Sequence, residues 1–175
     1  MKITKYNITL KRVAESDLEL LRSWRNSDYV NSRMIQTSYI TSEMQLNWFK
    51  TINNDQNYYF IAEFNNEKIG LMHIKNISKN NGEGGIFLAS EKYENDGLVP
   101  RMILCFNDFV FENLNLDFIY SQVKADNKKA ISSSIAQGCI VNEEKTTDEI
   151  ISFLLFPENY FFKTKKIKQI LQKNE

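Results

Sequence analysis

The residues in this chain with the strongest claim to chemistry are few and scattered. His73 is its one histidine. An imidazole titrates near neutrality and serves as base, hydrogen-bond partner or ligand, but one histidine with no fixed neighbour gives a Ser/His/Asp triad no support. Alternation along 68–77 places His73 on one strand face with Leu71 and Ile69, either toward a cleft or in a hydrogen-bonded structural position. Trp24-Arg25-Asn26 closes an amphipathic segment, where a guanidinium can grip a phosphate bidentately or simply end a helix. Glu83 follows a polar turn and heads a short strand, a place for proton transfer or for a solvated carboxylate. Ser132-Ser133-Ser134 puts three hydroxyls on one helix. Gly97, Leu98, Val99 and Arg101 lie where a loop opens an apolar helix, and a helix N-terminus offers free N–H groups to anions. Glu94 and Asp96 add negative charge there, and Pro100 withholds a donor. Cys105 and Cys139 sit in apolar segments without CxxC spacing, so two buried free thiols are expected and no metal site.

The elements that must position these residues are legible from periodicity. Residues 7–13 alternate as a strand, with Ile8, Leu10 and Arg12 on one face. Ser16 and Glu19 read as a capping box before a helix with a Leu18, Leu21, Trp24 stripe, which ends or bends at Asn26-Ser27-Asp28. Ser42 and Gln45 make a second box, before a helix over 43–52. Strands are expected over 58–64, 68–77 and 85–88, with a hairpin turn at Asn65-Asn66. Pro100 suits the first position of a helix over 101–113. A strand over 118–124 leads to Asp126 or Asn127 as cap of a helix over 128–137, with Gly138 as its C′ residue. Strands over 139–141 and 150–156 follow, and Pro157 leads into a closing helix over 158–172 with Phe161, Ile167, Ile170 and Leu171 facing in. The chain reads as one α+β domain, 1–175.

This order of elements resembles that of the GNAT acyl-CoA N-acyltransferases. Gly82-Glu83-Gly84-Gly85-Ile86-Phe87-Leu88 is similar to the family's fourth strand. Asp126-Asn127-Lys128-Lys129-Ala130-Ile131 resembles its N-x-x-A-I signature after the fifth strand, and Gln137-Gly138-Cys139 stands in the place of its L-G-F. Trp24-Arg25-Asn26 and Leu46-Asn47-Trp48-Phe49 resemble the N-terminal helices of the subgroup that acetylates ribosomal proteins or nucleotide-linked amino sugars, pseudaminic acid precursors among them. The fold so implied has a mixed, mostly antiparallel central sheet flanked by helices and splayed between its fourth and fifth strands.

The resemblance implies acetyl-CoA as co-substrate and a small-molecule amine as acceptor, most naturally on a nucleotide-linked sugar. A protein N-terminus, or a non-catalytic scaffold role, is the alternative. It implies Glu83 as base, the Phe87 and Leu88 backbone as the polariser of the acetyl carbonyl, Gly97, Leu98, Val99 and Arg101 at the pyrophosphate, and Asn127 on the pantetheine arm or capping its helix. Trp24, Arg25, Asn26 and His73 would meet the acceptor. Two departures stand out. The family's phosphate loop is richer in glycine than Gly97-Leu98-Val99-Pro100, and Ser134 occupies the place where many relatives carry a tyrosine as general acid. A serine hydroxyl is a weaker and shorter proton donor.

Composition bounds the rest. The chain has 175 residues, 42% hydrophobic and 13% aromatic, with zero formal net charge. It is long enough for a real core, and a neutral chain argues against a nucleic-acid footprint. Lys163, Lys165, Lys166 and Lys168 read as a solvated helix face. No signal-peptide core opens the sequence and no apolar run suits a membrane, so a cytoplasmic location is expected. A homodimer stays open.

Overall fold

The computed structural model describes residues 1–94 and 97–173. In chain order the elements are β1 (Lys2–Lys5), β2 (Ile8–Arg12), α1 (Leu18–Asn26), α2 (Asp28–Asn31), α3 (Ser42–Ile52), β3 (Tyr58–Phe64), β4 (Glu67–Ser78), β5 (Asn81–Leu88), α4 (Leu98–Asn113), β6 (Phe118–Lys124), α5 (Lys128–Ala136), β7 (Ile140–Val141), β8 (Ile150–Leu155) and α6 (Pro157–Gln172). The strands form one sheet in the order β1-β2-β3-β4-β5-β6-β8-β7. Every neighbouring pair is antiparallel except β5 and β6. This is the expected α+β architecture with one strand added in front, so the fourth and fifth strands of the family pattern are β5 and β6.

Three tight turns set the meander. Tyr6 and Asn7, Asn65 and Asn66, and Lys79 and Asn80 all have positive φ, the signature of two-residue turns that match strand twist. Asn65-Asn66 was readable because asparagine tolerates that region. Tyr6 does not tolerate it well, which is why β1 escaped the sequence reading. Its ring is held in place instead: Tyr6 is fully buried, and its hydroxyl donates to Asp108 Oδ2 at 2.6 Å.

The sheet carries a helical layer on each face. On one, Ile8, Leu10, Phe60, Ile69, Met72 and Ile74 pack with the buried length of α4. On the other, Tyr59, Ile61 and Leu71 meet Leu18 and Leu21 of α1, with Trp48 and Ile52 of α3 alongside. Ile69 therefore does not share a face with Leu71 and His73, as plain alternation predicted. A register shift at Ala62/Glu63 turns it to the α4 side.

Other boundaries move for identifiable reasons. A short 3₁₀ turn, Glu15–Asp17, precedes α1, and Asp17 rather than Ser16 closes it by accepting from the Ala14 N–H at 3.0 Å. Thr41, not Ser42, caps α3 by accepting from the Met44 N–H at 3.2 Å. β5 starts at Asn81 rather than 85, because its glycines hide the strand pattern without breaking the ladder. α4 starts at Leu98, so Pro100 is its third residue and not its first. α6 is rotated from the expected face: Tyr160 and Thr164 are buried, whereas Phe161, Ile167 and Ile170 are exposed and only Leu171 of the expected set packs on the core. The cause is polar. The Tyr160 hydroxyl donates to the Leu104 carbonyl at 3.1 Å and to Asp108 Oδ1 at 2.7 Å, and Lys168 bonds the same carboxylate.

Candidate active site

The feature that makes a site is the parting of β5 from β6. They pair at Asn81–Phe118, Gly82–Ile119 and Glu83–Tyr120, and nowhere beyond. From Gly84 onward β5 keeps β4 on one edge and leaves the other edge open. The Ala89 N–H donates to the Ile69 carbonyl at 2.9 Å. An antiparallel ladder alternates its bonding residues, so Phe87 shares that edge with Ala89. The amides of Ile86 and Leu88 are the ones turned toward the gap. Of the expected Phe87–Leu88 pair, Leu88 is thus the one whose amide faces the gap, and Phe87 sends its ring edge-on to Trp24, 6.3 Å between centroids.

The gap opens into a cleft of about 1030 Å³, walled by β5, β6, α1, α3, α5 and the start of α4. Glu83 lines it at the fork itself, the last residue of β5 paired with β6. Its Oε1 meets Lys75 Nζ at 2.9 Å. Ser134 lines the cleft from α5, nearly buried, beside Gln137 and Cys139. Burial pushes the Cys139 thiol up to about 12, which keeps it protonated and inert.

At the α4 end, Gly97 adopts φ 64° as N-cap, with open space where a Cβ would stand. A helix leaves its first four N–H groups unbonded. Here those are Gly97, Leu98, Val99 and the position of Pro100, so proline removes one donor and three remain. Val99 and Pro100 line the cleft; Leu98 turns its side chain into the core. Arg101 is not part of this end: its guanidinium donates to the Tyr6 carbonyl at 3.2 Å and is absent from the cleft wall. Proximity in sequence to the loop had suggested it. Among the described residues, the cations that do line the cleft are Arg25, Lys75, Arg33, Lys124 and Lys129. Glu94 gathers two of them, with Lys129 Nζ at 2.5 Å and Arg33 at 3.3 Å, and accepts from the Tyr29 hydroxyl at 2.9 Å. Lys129 and Tyr29 hold its pKa below the usual carboxylate value. The acid read as a hindrance to an anion is therefore already neutralised. Asn95 and Asp96 lie outside the described residues. Asn127 caps α5, accepting from the Ala130 N–H at 3.1 Å, and also lines the cleft.

Of Trp24-Arg25-Asn26, only Arg25 reaches the cleft. Asn26 is a brace: its side chain exchanges two 2.8 Å bonds with the Ile40 backbone. His73 lines the cleft, its ring stacked on Tyr59 at 5.0 Å and 21°. Burial, with Lys75 and Arg25 nearby, pushes its pKa down to about 3, so it is neutral. Trp48 meets Tyr59 edge-on at 5.0 Å and joins the same wall. Sequence reading used Trp48 only as a core and motif residue. It missed Arg33, Lys129 and Tyr59 altogether, because nothing in local spacing says that α2, α5 and β3 meet here. Among the described residues no group of three His, Cys, Asp or Glu side chains is placed to hold a metal, and no helix is long and apolar enough to cross a membrane.

Two parallel strands parting over a cleft, with a helix N-terminus in its wall, are the arrangement that the resemblance to the GNAT acyl-CoA N-acyltransferases implies. The model of the acetyltransferase (GNAT) domain matches residues 7–138, and the chain belongs to that family. It is an N-acetyltransferase by membership, with acetyl-CoA as donor. The chain is 28% identical over 128 residues to the acetyltransferase PseH of Campylobacter jejuni, covering 71% of this chain and 79% of that one. It superposes on apo FdhC, a nucleotide-linked sugar GNAT, with TM-score 0.81 at 21% identity, covering 98% of each chain. It also superposes on spermidine N-acetyltransferase of Vibrio cholerae in complex with CoA and spermine, with TM-score 0.78 at 20% identity, covering 90% of this chain and 99% of that one.

Proposed function

We propose that this enzyme transfers the acetyl group of acetyl-CoA to the amine of a nucleotide-linked amino sugar, with Glu83 as the base. The observation that carries the chemistry is the position of Glu83 at the fork where β5 and β6 separate. A thioester lying along the open edge of β5 would accept bonds from the Leu88 and Ile86 amides, and its pyrophosphate would meet the Gly97, Leu98 and Val99 amides with Arg33, Lys124 and Lys129 around it. Charge-assisted hydrogen bonds contribute roughly 1.5–3 kcal/mol each. Three remaining amides plus three cations therefore outweigh the one donor lost to Pro100.

In the reaction the acceptor amine nitrogen attacks the thioester carbonyl. A C–N bond forms, the C–S bond breaks and CoA leaves as a thiolate. The amine proton passes to Glu83. Lys75, 2.9 Å from its Oε1, steadies the carboxylate that receives it. Water, directly or relayed through the Ser134 hydroxyl in the cleft wall, returns a proton to the thiolate, which is a fair leaving group. The Leu88 and Ile86 amides, aimed at the carbonyl oxygen, would stabilise the charge that develops there.

The nucleotide-sugar acceptor is supported by the likeness to PseH and to the nucleotide-linked sugar GNAT FdhC. The likeness to spermidine N-acetyltransferase supports a polyamine instead. The test is an acetyl-CoA turnover assay over a panel of nucleotide-linked amino sugars, spermidine and a ribosomal-protein N-terminal peptide. Acetylation confined to the sugar nucleotides is the expected result. Turnover of spermidine or the peptide alone would replace the acceptor. No binding of acetyl-CoA at millimolar concentration by titration calorimetry would remove the catalytic reading entirely. A homodimer is a separate matter, measured by light scattering.

A further inference from the structure

The cleft holds two buried side-chain atoms with no hydrogen-bond partner: Arg25 Nε and His73 Nδ1. Both residues lie in its wall. Buried polar atoms are nearly always bonded, and each exception asks for a reason. Arg25 is the sharper case. A guanidinium stays charged and offers five donors. Its one bond here is a long one, 3.4 Å from Nη2 to the Gln36 carbonyl, and no ion pair joins it to a carboxylate among the described residues. The other cations of the wall are each answered: Lys75 by Glu83, Arg33 and Lys129 by Glu94, Lys124 by Asp126 at 3.8 Å. A guanidinium with unspent buried donors is costly, so Arg25 is the residue of the wall with donors to offer an entering anion.

His73 completes the seat. Its ring is clamped between Tyr59 and the bare backbone of Gly85, so it cannot turn to find another partner. Neutral imidazole offers one donor and one acceptor nitrogen. Among the described residues, five cationic side chains line the cleft, Arg25, Arg33, Lys75, Lys124 and Lys129, against the two acids Glu83 and Glu94, although the whole chain is neutral. A polycationic acceptor would meet like charge there.

We infer that Arg25 and His73 form the seat of an anionic oxygen group on the acceptor, a phosphoryl group in the first instance, and so select acidic acceptors over polyamines. The inference rests on the acetyltransferase reading for the word acceptor; the seat itself does not. It assigns the substrate class by charge, and it uses residues other than Arg33, Lys124 and Lys129, which the proposed function gives to the CoA pyrophosphate.

The test uses the full chain saturated with CoA, so that the α4 end is occupied, titrated calorimetrically with uridine diphosphate and separately with spermidine. The expected result is binding of the diphosphate and none of spermidine. Arg25→Leu should weaken the diphosphate by roughly ten- to hundredfold, the loss of a charge-assisted pair of bonds, while CoA affinity stays unchanged. Arg25→Lys, which keeps the charge but not the fork, should fall between, and His73→Phe should weaken the diphosphate less than Arg25→Leu. Diphosphate affinity indifferent to both Arg25 variants, or spermidine binding tighter than the diphosphate, overturns the inference. If Arg25→Leu fails to fold, as judged by its melt, Arg25→Lys and His73→Phe decide. Should CoA itself not bind, the transferase reading fails, and diphosphate binding to the CoA-free chain that depends on Arg25 would still establish the seat.

Discussion

A Cβ on Gly85 would stand 2.3 Å from Cε1 of His73. The imidazole lies flat on strand backbone that only glycine leaves free, pressed from the other side by Tyr59. Gly85→Ala must therefore push the ring off Tyr59 or bend β5. Overpacking of this kind costs about 1–3 kcal/mol, read as a lower midpoint in urea at unchanged m-value. Removing the ring should relieve it: in a double-mutant cycle, Gly85→Ala should cost far less on a His73→Ala background. Additive losses would mean that the clash is absorbed elsewhere.

Glu83→Gln keeps the size of the side chain and removes its ability to take a proton. If Glu83 is the base, kcat should drop by about 10²–10⁴, with the KM for acetyl-CoA little changed because the contacts proposed for the donor, backbone amides and the α4 end of the cleft, do not involve Glu83. Steady-state kinetics at saturating donor and acceptor measures both. Full activity in this variant rejects the assignment and leaves proton removal to water.

How far the sequence reached can be followed residue by residue. The cap of α5 was legible to within one residue, Asp126 or Asn127, because capping is local and chemically explicit; the structure gives it to Asn127, which accepts from the Ala130 N–H. The strand–helix order from β2 onward followed from periodicity and turn residues, and the parting of β5 from β6 from the family resemblance that the motifs on those segments carry. Arg101 was misplaced because sequence shows only that it is next to the loop, not that its side chain crosses to the Tyr6 carbonyl. The choice of Leu88 over Phe87 as gap-facing amide depends on ladder register, which alternation of side chains does not reveal. Arg33 and Lys129 come from segments 61 and 35 positions from Glu94, and only the fold brings them together. The face of α6 was misread for a related reason: an apolar stripe was counted, while the polar anchor of Tyr160 on Asp108 decided the rotation.

Glu94 tests the cationic end of the cleft. Its carboxylate occupies Lys129 and Arg33 when no anion is there. Glu94→Gln removes the competing charge and frees both cations. Acetyl-CoA should bind about two- to fivefold more tightly at low salt, a modest gain because Lys129 and Arg33 are solvent-exposed, and the gain should shrink at 0.5 M salt as screening removes it. Calorimetry at two salt concentrations checks this. Weaker binding in the variant would show that Glu94 organises the cations rather than competes for them.

Asp108 fastens three elements from the buried face of α4. It accepts from the Tyr6 hydroxyl at 2.6 Å and the Tyr160 hydroxyl at 2.7 Å, and pairs with Lys168 and with Lys5 at 3.3 Å. Burial alone would raise its pKa, but Lys168 and the two hydroxyls overcome this and the net shift is downward. A carboxyl whose folded pKa lies below its unfolded value binds its proton more weakly in the folded state. Its stabilisation is complete above the unfolded value of 3.8 and is lost as pH falls through the folded one. Asp108→Asn keeps the shape but strands Lys168 without its counter-charge, and should cost about 3–5 kcal/mol at pH 7. The difference between wild type and variant should narrow as pH is lowered below 3.8, because protonation makes the wild-type carboxyl neutral as well. Urea unfolding at pH 7, 4 and 3 measures it. A gap that stays constant across that range would show that the network is held by hydrogen-bond geometry and not by the carboxylate charge.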